Sequence, residues 1–287
     1  MDYSRLSVSE RRFLPPAVAV SSVAFALRPP VGALIGVVGA DGVSFGRGER
    51  RASVDRLDRD RDASEAALWL PLVRRTRPPF EGDWALPGGP IPWDETLVDT
   101  ALRTLRAAVR RDPGYLEQLY SFGAIERSAE AQRLVTIAYW ALYGESQLDP
   151  DAGPERDEVD PNVAWFSADR LPSLAFDHTE IVAYALGRLR SKTEYSAVAH
   201  RFLGESFTLA QLREVREAIL GEQVDPANFR RQALAQGTLV ETGATQTGTR
   251  HRPARLYRFR HGAETSRISG PAVVPATAPS QNRRKTS

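Results

Sequence analysis

The stretch Trp84-Ala85-Leu86-Pro87-Gly88-Gly89-Pro90-Ile91-Pro92-Trp93-Asp94-Glu95, running on to Arg103, decides the reading of this chain. Adjacent glycines among prolines mark a turn. From residue 95 to 111 the chain carries no Gly or Pro, and Leu97, Ala101, Leu105 and Ala108 recur at helical spacing. Asp112-Pro113-Gly114 is expected to end that helix. A turn entering an amphipathic helix is common by itself. Here Trp-x-Leu-Pro precedes the glycines, and Glu95, Arg103 and Leu105 follow in register, which points to a specific loop-and-helix site.

Outward from that motif, residues 68–73 are apolar and bounded by Arg74-Arg75 and Pro78-Pro79, and read as a strand in which Pro71 implies a bulge or an edge position. Residues 17–27 and 134–143 also read as strands. A second apolar run, 31–38, leads into Gly39, Asp41 and Gly42, and the mixed-charge segment 47–62 reads as a solvated loop. Residues 149–161 form an acidic, proline-containing loop. Ile181, Val182, Ala185, Leu186 and Leu189 give residues 178–190 one apolar helical face. A boundary is expected near residues 191–195.

The second unit opens with a marked helix start. Thr208-Leu209-Ala210-Gln211 has the form of a capping box, and Phe207 and Leu212 occupy the staple positions. Leu212, Val215 and Ile219 form the buried face, and Gly221 stops the helix. Asp225 and Pro226 begin a second helix, which Gly237 terminates. Residues 238–241 and 254–259 then read as strands. Helix, turn, helix and β-hairpin make a winged helix-turn-helix.

Composition bounds the alternatives. With 287 residues, two folded units are the natural expectation. There is no cysteine, which excludes disulfides, thiolate nucleophiles and Cys-ligated metal sites, and the four histidines lack the spacing of a helical metal pair. Ser9-Glu10-Arg11-Arg12-Phe13-Leu14 superficially suggests a twin-arginine signal, but Pro15-Pro16 interrupts it. No stretch reaches the ~18 to 20 consecutive apolar residues of a membrane span, so a soluble, cytoplasmic chain without membrane contact is expected. Residues 201–287 hold 14 Arg or Lys against 7 Asp or Glu, a net +7, which leaves −5 for residues 1–200. A basic module beside an acidic domain suggests nucleic acid.

The central motif resembles the Nudix box, G-x5-E-x7-R-E-U-x-E-E, with Leu105 at the aliphatic position. Nudix chemistry uses several carboxylates on one helix face to hold Mg²⁺ against a diphosphate. At the three glutamate positions after the Arg this chain has Thr104, Ala107 and Ala108. The expected result is a binder with no catalytic residues, no metal site and no required cofactor. Arg77-Pro78-Pro79-Phe80, residues 115–120, Phe176-Asp177-His178, Asn228-Phe229-Arg230-Arg231 and the run from Arg252 to Tyr257 extend the resemblance to the NrtR family, the Nudix-related transcriptional regulators of NAD metabolism. It covers most of residues 65–260. It implies a homodimeric repressor of NAD biosynthesis genes that binds a double-stranded operator, with ADP-ribose as effector.

The expected fold is α+β: a Nudix-type α/β/α sandwich followed by a winged helix-turn-helix. Residues 1–16 are read as an extension, 17–192 as the sensing domain with an insertion at about 29–67, 193–260 as the DNA-binding domain, and 261–287 as a disordered basic tail. Ligand-binding candidates are Arg74, Arg75, Trp84, Gly88, Gly89, Glu95, Arg103, Asp177 and His178. Arg74 and Arg75 would grip a diphosphate or merely end a strand. Trp84 would stack on a base or fill the core. Arg103 would orient the glycine loop, as the resemblance implies, while Asp177 and His178 have a plain capping and structural alternative. Asn228, Arg231 and Gln232 share a face and can read base edges. Arg250, His251, Arg252, Arg255 and Arg258 would touch phosphate or the minor groove. Thr208, Gln211, Arg230 and Tyr257 complete the DNA-contact set. The competing readings are an active ADP-ribose pyrophosphatase with an accessory domain and a protein-interaction module.

Overall fold

A computed structural model describes residues 15–47, 67–128, 133–148, 160–195, 201–246 and 253–260. The first unit is a mixed sheet of β1 (Ala17–Ala26), β2 (Leu34–Gly39), β3 (Gly42–Arg47), β4 (Trp69–Arg74), β5 (Trp84–Ala85), β6 (Gly88–Pro90), β7 (Tyr115–Phe122), β8 (Leu134–Tyr143) and β9 (Val163–Ser167). Its order is β3-β2-β9-β4-β1-β8-β7, with β5 joined to β4 and β6 to β1. β1 runs parallel to β8 in unbroken register from Ala17↔Leu134 to Ala26↔Tyr143. Both faces of this pair are covered, so every residue from Val20 to Ala26 is buried and the strand reads as a continuous rather than alternating run.

Helix α1 (Leu97–Val109) covers one face, packing Ala101, Leu105 and Ala108 against Val20, Ala24 and Ala26. A four-residue helix, α2 (Glu145–Leu148), follows β8. Helix α3 (His178–Tyr195) covers the other face, packing Ile181, Val182, Ala185 and Leu189 with Val23, Phe25, Trp140 and Leu142. This is the expected three-layer sandwich. Thr96 and Asp99 form a capping box at the start of α1, so Glu95 lies just outside the helix. The helix ends earlier than Asp112: Arg110 adopts the left-handed conformation as its cap. Pro71 lies inside the sheet, paired with Trp165 of β9, which departs from the edge or bulge expectation. On its other side β1 and β4 register only at Ala26↔Trp69, so the missing N–H interrupts no ladder there.

Residues 34–47, within the segment expected as an insertion, form the β2–β3 hairpin, and β2 joins β9 through Ile35↔Trp165. Residues 48–66 of that segment lie outside the described residues, as do residues 1–14, most of the acidic loop and the tail. Helix α3 runs through the expected boundary to Tyr195.

The second unit has α4 (Leu209–Leu220), α5 (Pro226–Ala235), β10 (Leu239–Thr245) and β11 (Arg255–Phe259). Each sequence punctuation mark falls in place. Thr208 and Gln211 form a reciprocal capping box, Gly221 is the left-handed cap with φ 74, and Asp225 caps α5 with Pro226 at its start. Phe207 and Tyr257 exchange two backbone bonds, 2.9 and 2.8 Å, closing the hairpin onto the entrance of α4. β10 extends past Glu241 because Gly243, at φ 80, absorbs a register shift. Phe207, Leu212, Val215, Ile219, Phe229 and Tyr257 form a core continuous with that of the α3 face. Among the described residues, no helix is long and apolar enough to cross a membrane.

Candidate functional site

The glycine loop is held by contacts that only glycine permits. β6 lies against β1 with Gly88 opposite Ser21, and a Cβ on Gly88 would stand 2.3 Å from the Val20 carbonyl. Gly89 has open space around the corresponding position. Upstream, the backbone of Trp84 pairs with Leu174, the Ala175 N–H donates to the Trp84 carbonyl at 2.8 Å, and the Leu86 N–H donates to His178 Nδ1 at 3.0 Å. His178 is buried, and burial pushes its pKa down to about 4. The ring is therefore neutral, with Nδ1 as acceptor. His178 supports the backbone that enters the loop.

On the box helix, Glu95 accepts from Arg103 Nε at 2.6 Å and from Thr100 Oγ1 at 2.8 Å. The Arg103 guanidinium holds the Glu95 carboxyl below the usual carboxylate range. Arg103 thus engages Glu95, the first carboxylate of the box. Thr104 is buried, and its hydroxyl donates back to the Thr100 and Ala101 carbonyls, each at 3.0 Å. It points into its own helix. Ala107 and Ala108 have no donor atoms. Among the four box positions only Glu95 offers a carboxylate, and it already faces a guanidinium, so this donor set does not fit a hard divalent cation.

Four other ligand candidates have partners within the fold. Trp84 is 6% exposed and lies against Phe45 and Phe166, at centroid distances of 5.9 and 5.1 Å, within the core cluster. Arg74 donates to the Gly82 carbonyl at 3.1 Å. Arg75 donates to the Pro79 carbonyl at 2.8 Å and lies 4.8 Å over the Phe176 ring. Both arginines bind the 75–82 loop together, because its turning backbone leaves carbonyls without strand partners. Asp177 forms an ion pair with Arg127, whose Nη2 also reaches Thr136 Oγ1 at 3.0 Å. The Arg127 side chain is only 7% exposed. Sequence reading missed it, since nothing nearby in the chain marks Arg127 as buried.

On the winged unit, α5 buries Phe229 and Ala233 and exposes Arg230, Arg231 and Gln232, with Asn228 half-buried. Asn228 Oδ1 accepts from Arg231 Nη2 at 2.7 Å, which fixes the two as a pair. Arg255 donates to both Glu241 oxygens, at 3.0 and 3.1 Å, across the hairpin, and Arg258 is half-buried. A surface cleft of about 520 Å³ is lined by Thr208, Ala210, Arg230, Pro253, Arg255 and Tyr257. Thr208 and Tyr257 border this cleft with little exposed surface. Both are buried, the first closed on Gln211 in its capping box and the second packed under the hairpin. Gln211 keeps only its amide nitrogen free of that box. Arg250, His251 and Arg252 lie outside the described residues.

Comparisons with known proteins fit this layout. The Nudix domain model matches residues 50–185, and the model described as the NrtR DNA-binding winged helix domain matches residues 199–259. The chain is 32% identical over 199 residues to the ADPR responsive transcriptional repressor NtrR of Acinetobacter baylyi, covering 68% of this chain and 77% of that protein. It is also 26% identical over 113 residues to an ADP-ribose pyrophosphatase of Methanocaldococcus jannaschii, covering 39% of this chain and 62% of the enzyme. Among solved structures, Shewanella oneidensis NrtR complexed with a 27mer DNA superposes with a TM-score of 0.60 at 30% identity, covering 85% of this chain and 93% of that one. With a Nudix domain and an NrtR winged helix in one chain, and that likeness across both, the protein belongs to the NrtR family.

Proposed function

We propose that this chain is a cytoplasmic, homodimeric, DNA-binding repressor of NAD biosynthesis genes that senses ADP-ribose, or a related NAD-derived nucleotide, through a Nudix domain without hydrolytic activity. The relative in Acinetobacter baylyi carries the ADP-ribose-responsive repressor description, and its likeness spans both units. The observation that carries the non-enzymatic reading is the state of the box helix: Thr104 is bonded into its own backbone, and Ala107 and Ala108 stand where carboxylates would hold a metal. A pyrophosphatase must bring a diphosphate, a cation and a water together, and this helix supplies one carboxylate already paired with Arg103.

The DNA-reading surface is assigned to the exposed face of α5, with Asn228, Arg231 and Gln232 toward base edges and the hairpin arginines toward phosphates. The effector site is assigned to the Gly88–Gly89 loop and the first turn of α1. Selection of binding sequences from a randomised duplex pool by the full-length protein, followed by calorimetry with ADP-ribose, tests both assignments. Enrichment of a two-fold symmetric sequence and a saturable ADP-ribose heat are expected. A pool that never enriches, or no heat at saturating nucleotide, refutes the reading.

A further inference from the structure

Helix α3 touches both functional regions at defined atoms. Its first residue, His178, accepts the Leu86 N–H at 3.0 Å, two residues before Gly88. Twelve residues on, about 18 Å along the axis, Arg190 Nε donates at 3.0 Å to the carbonyl of Ile219 in the last turn of α4. That carbonyl is one of the four at a helix end with no partner in the helix itself, and a guanidinium suits the negative end of the helix dipole. Ile219 is fully buried. Leu189, also fully buried, shares one apolar core with Leu212, Val215 and Ile219, so the contact is backed by packing.

The helix is also fastened to the sheet at both ends. Asp177, just before its start, holds the buried Arg127, and Lys192, two residues beyond Arg190, pairs with Glu117 of β7 and lies 5.3 Å over the Trp140 ring. Arg190 therefore moves with the first unit while gripping the second. A ligand that shifts the Leu86–Gly88 backbone must either carry His178 with it or leave a buried acceptor unpaired.

We propose that α3 is the link through which occupancy of the glycine loop changes DNA affinity, with His178 and Arg190 as its two positioning residues. This inference rests on the functional reading above. It adds a route for regulation: the signal enters at the Leu86–His178 bond and leaves at the Arg190–Ile219 bond. Neither residue needs to touch nucleotide or DNA.

The test uses the full-length protein, ADP-ribose, and a duplex that the protein itself selects from a randomised pool. DNA affinity is measured by anisotropy with and without ADP-ribose, and ADP-ribose affinity by calorimetry with and without the duplex. The ratio in either direction gives one coupling factor, because linkage is reciprocal. In Arg190→Met, each ligand alone is expected to bind within about twofold of wild type, while the coupling factor falls toward one by about fivefold or more, within the usual ~5- to 150-fold span of such couplings. Arg190→Lys, which keeps a cation with a different donor geometry, is expected to retain part of the coupling and serves if the Met variant does not fold. A merely structural residue would weaken binding or stability without moving that ratio. An unchanged coupling factor in Arg190→Met or Arg190→Lys, with both ligands still bound, overturns the role of α3. Absence of any coupling in the wild-type protein overturns the functional reading, and this inference with it.

Discussion

Helices α1 and α5 are built alike and present opposite chemistry. Each begins at an oxygen-bearing cap, Thr96 or Asp225, and each buries one apolar stripe, Ala101, Leu105 and Ala108 in one and Phe229 and Ala233 in the other. On α1 the box positions after Arg103 carry a buried hydroxyl turned into the helix at Thr104, an exposed methyl at Ala107 and a buried methyl at Ala108. On α5 the outward positions carry Arg230, Arg231 and Gln232. The difference teaches that a capped helix with one buried stripe is scaffold, and that function follows from what the remaining side chains can donate or accept. The first unit has the Nudix fold with Thr104, Ala107 and Ala108 at three box positions, whereas the second exposes polar and cationic side chains on its helix.

The comparison can be broken first at Arg127, where the largest effect is expected. Arg127→Met leaves Asp177 without its buried partner and should destabilise the first unit by roughly 3 to 5 kcal/mol, read from the urea midpoint. The exposed pair Arg106–Asp112 serves as the contrast: Asp112→Asn should change stability by under ~1 kcal/mol. Equal losses would mean that burial does not rank these pairs.

Next comes Gly88→Ala, whose added methyl would meet the Val20 carbonyl. A loss of about 1 to 3 kcal/mol is expected, together with weakened ADP-ribose binding, while Gly89→Ala should be milder because nothing lies near its Cβ position. Calorimetry and urea unfolding of the two variants rank them. On the DNA side, Arg231→Ala should lower affinity for the selected duplex by roughly 1 to 3 kcal/mol and relax preference at one position per half-site. Arg255→Ala should weaken all duplexes alike and flatten the salt slope by about one unit per lost phosphate contact. Reversed behaviour in a salt series over selected and scrambled duplexes would make the hairpin the reader.

A further effect is expected from acid. His178 is neutral in the fold with a pKa pushed down to about 4, below the ordinary 6.5, because burial disfavours its charged form. Its contribution to stability is complete above pH 6.5 and is lost as pH falls toward 4, because the unfolded chain takes up the proton first. His178→Asn places an acceptor near the same point without titrating in that window. Its stability curve should be flatter than wild type between those values, and identical slopes would remove His178 from the account.

How much was legible in the sequence follows from how local each signal is. The winged unit was readable almost residue by residue, because Thr208, Gln211, Gly221, Asp225 and Pro226 act through neighbours three or four positions away. The Gly88–Gly89 turn and α1 were equally plain. The Thr96–Asp99 capping box is equally local. What the sequence hides depends on distant partners. Arg74 and Arg75 donate to carbonyls of the 75–82 loop, contacts that no local pattern marks. Trp84 met Phe45 and Phe166 from strands far away in the chain. The β2–β3 hairpin was hidden for a related reason, since its strands are short and glycine-rich and gain their place by pairing with β9. Arg127 and Arg190 carry no local mark at all.

The central claim is that nucleotide binding in the first unit is converted into a change in DNA affinity and not into hydrolysis. One mixture tests it directly: the full-length protein, its selected duplex, ADP-ribose and Mg²⁺, with DNA binding followed by anisotropy while the nucleotide is recovered for chromatography. The account predicts a shifted DNA affinity and ADP-ribose recovered intact. Release of AMP and ribose phosphate at ordinary enzyme rates, ~1 to 10³ per second, with DNA binding unmoved by the nucleotide, would contradict it.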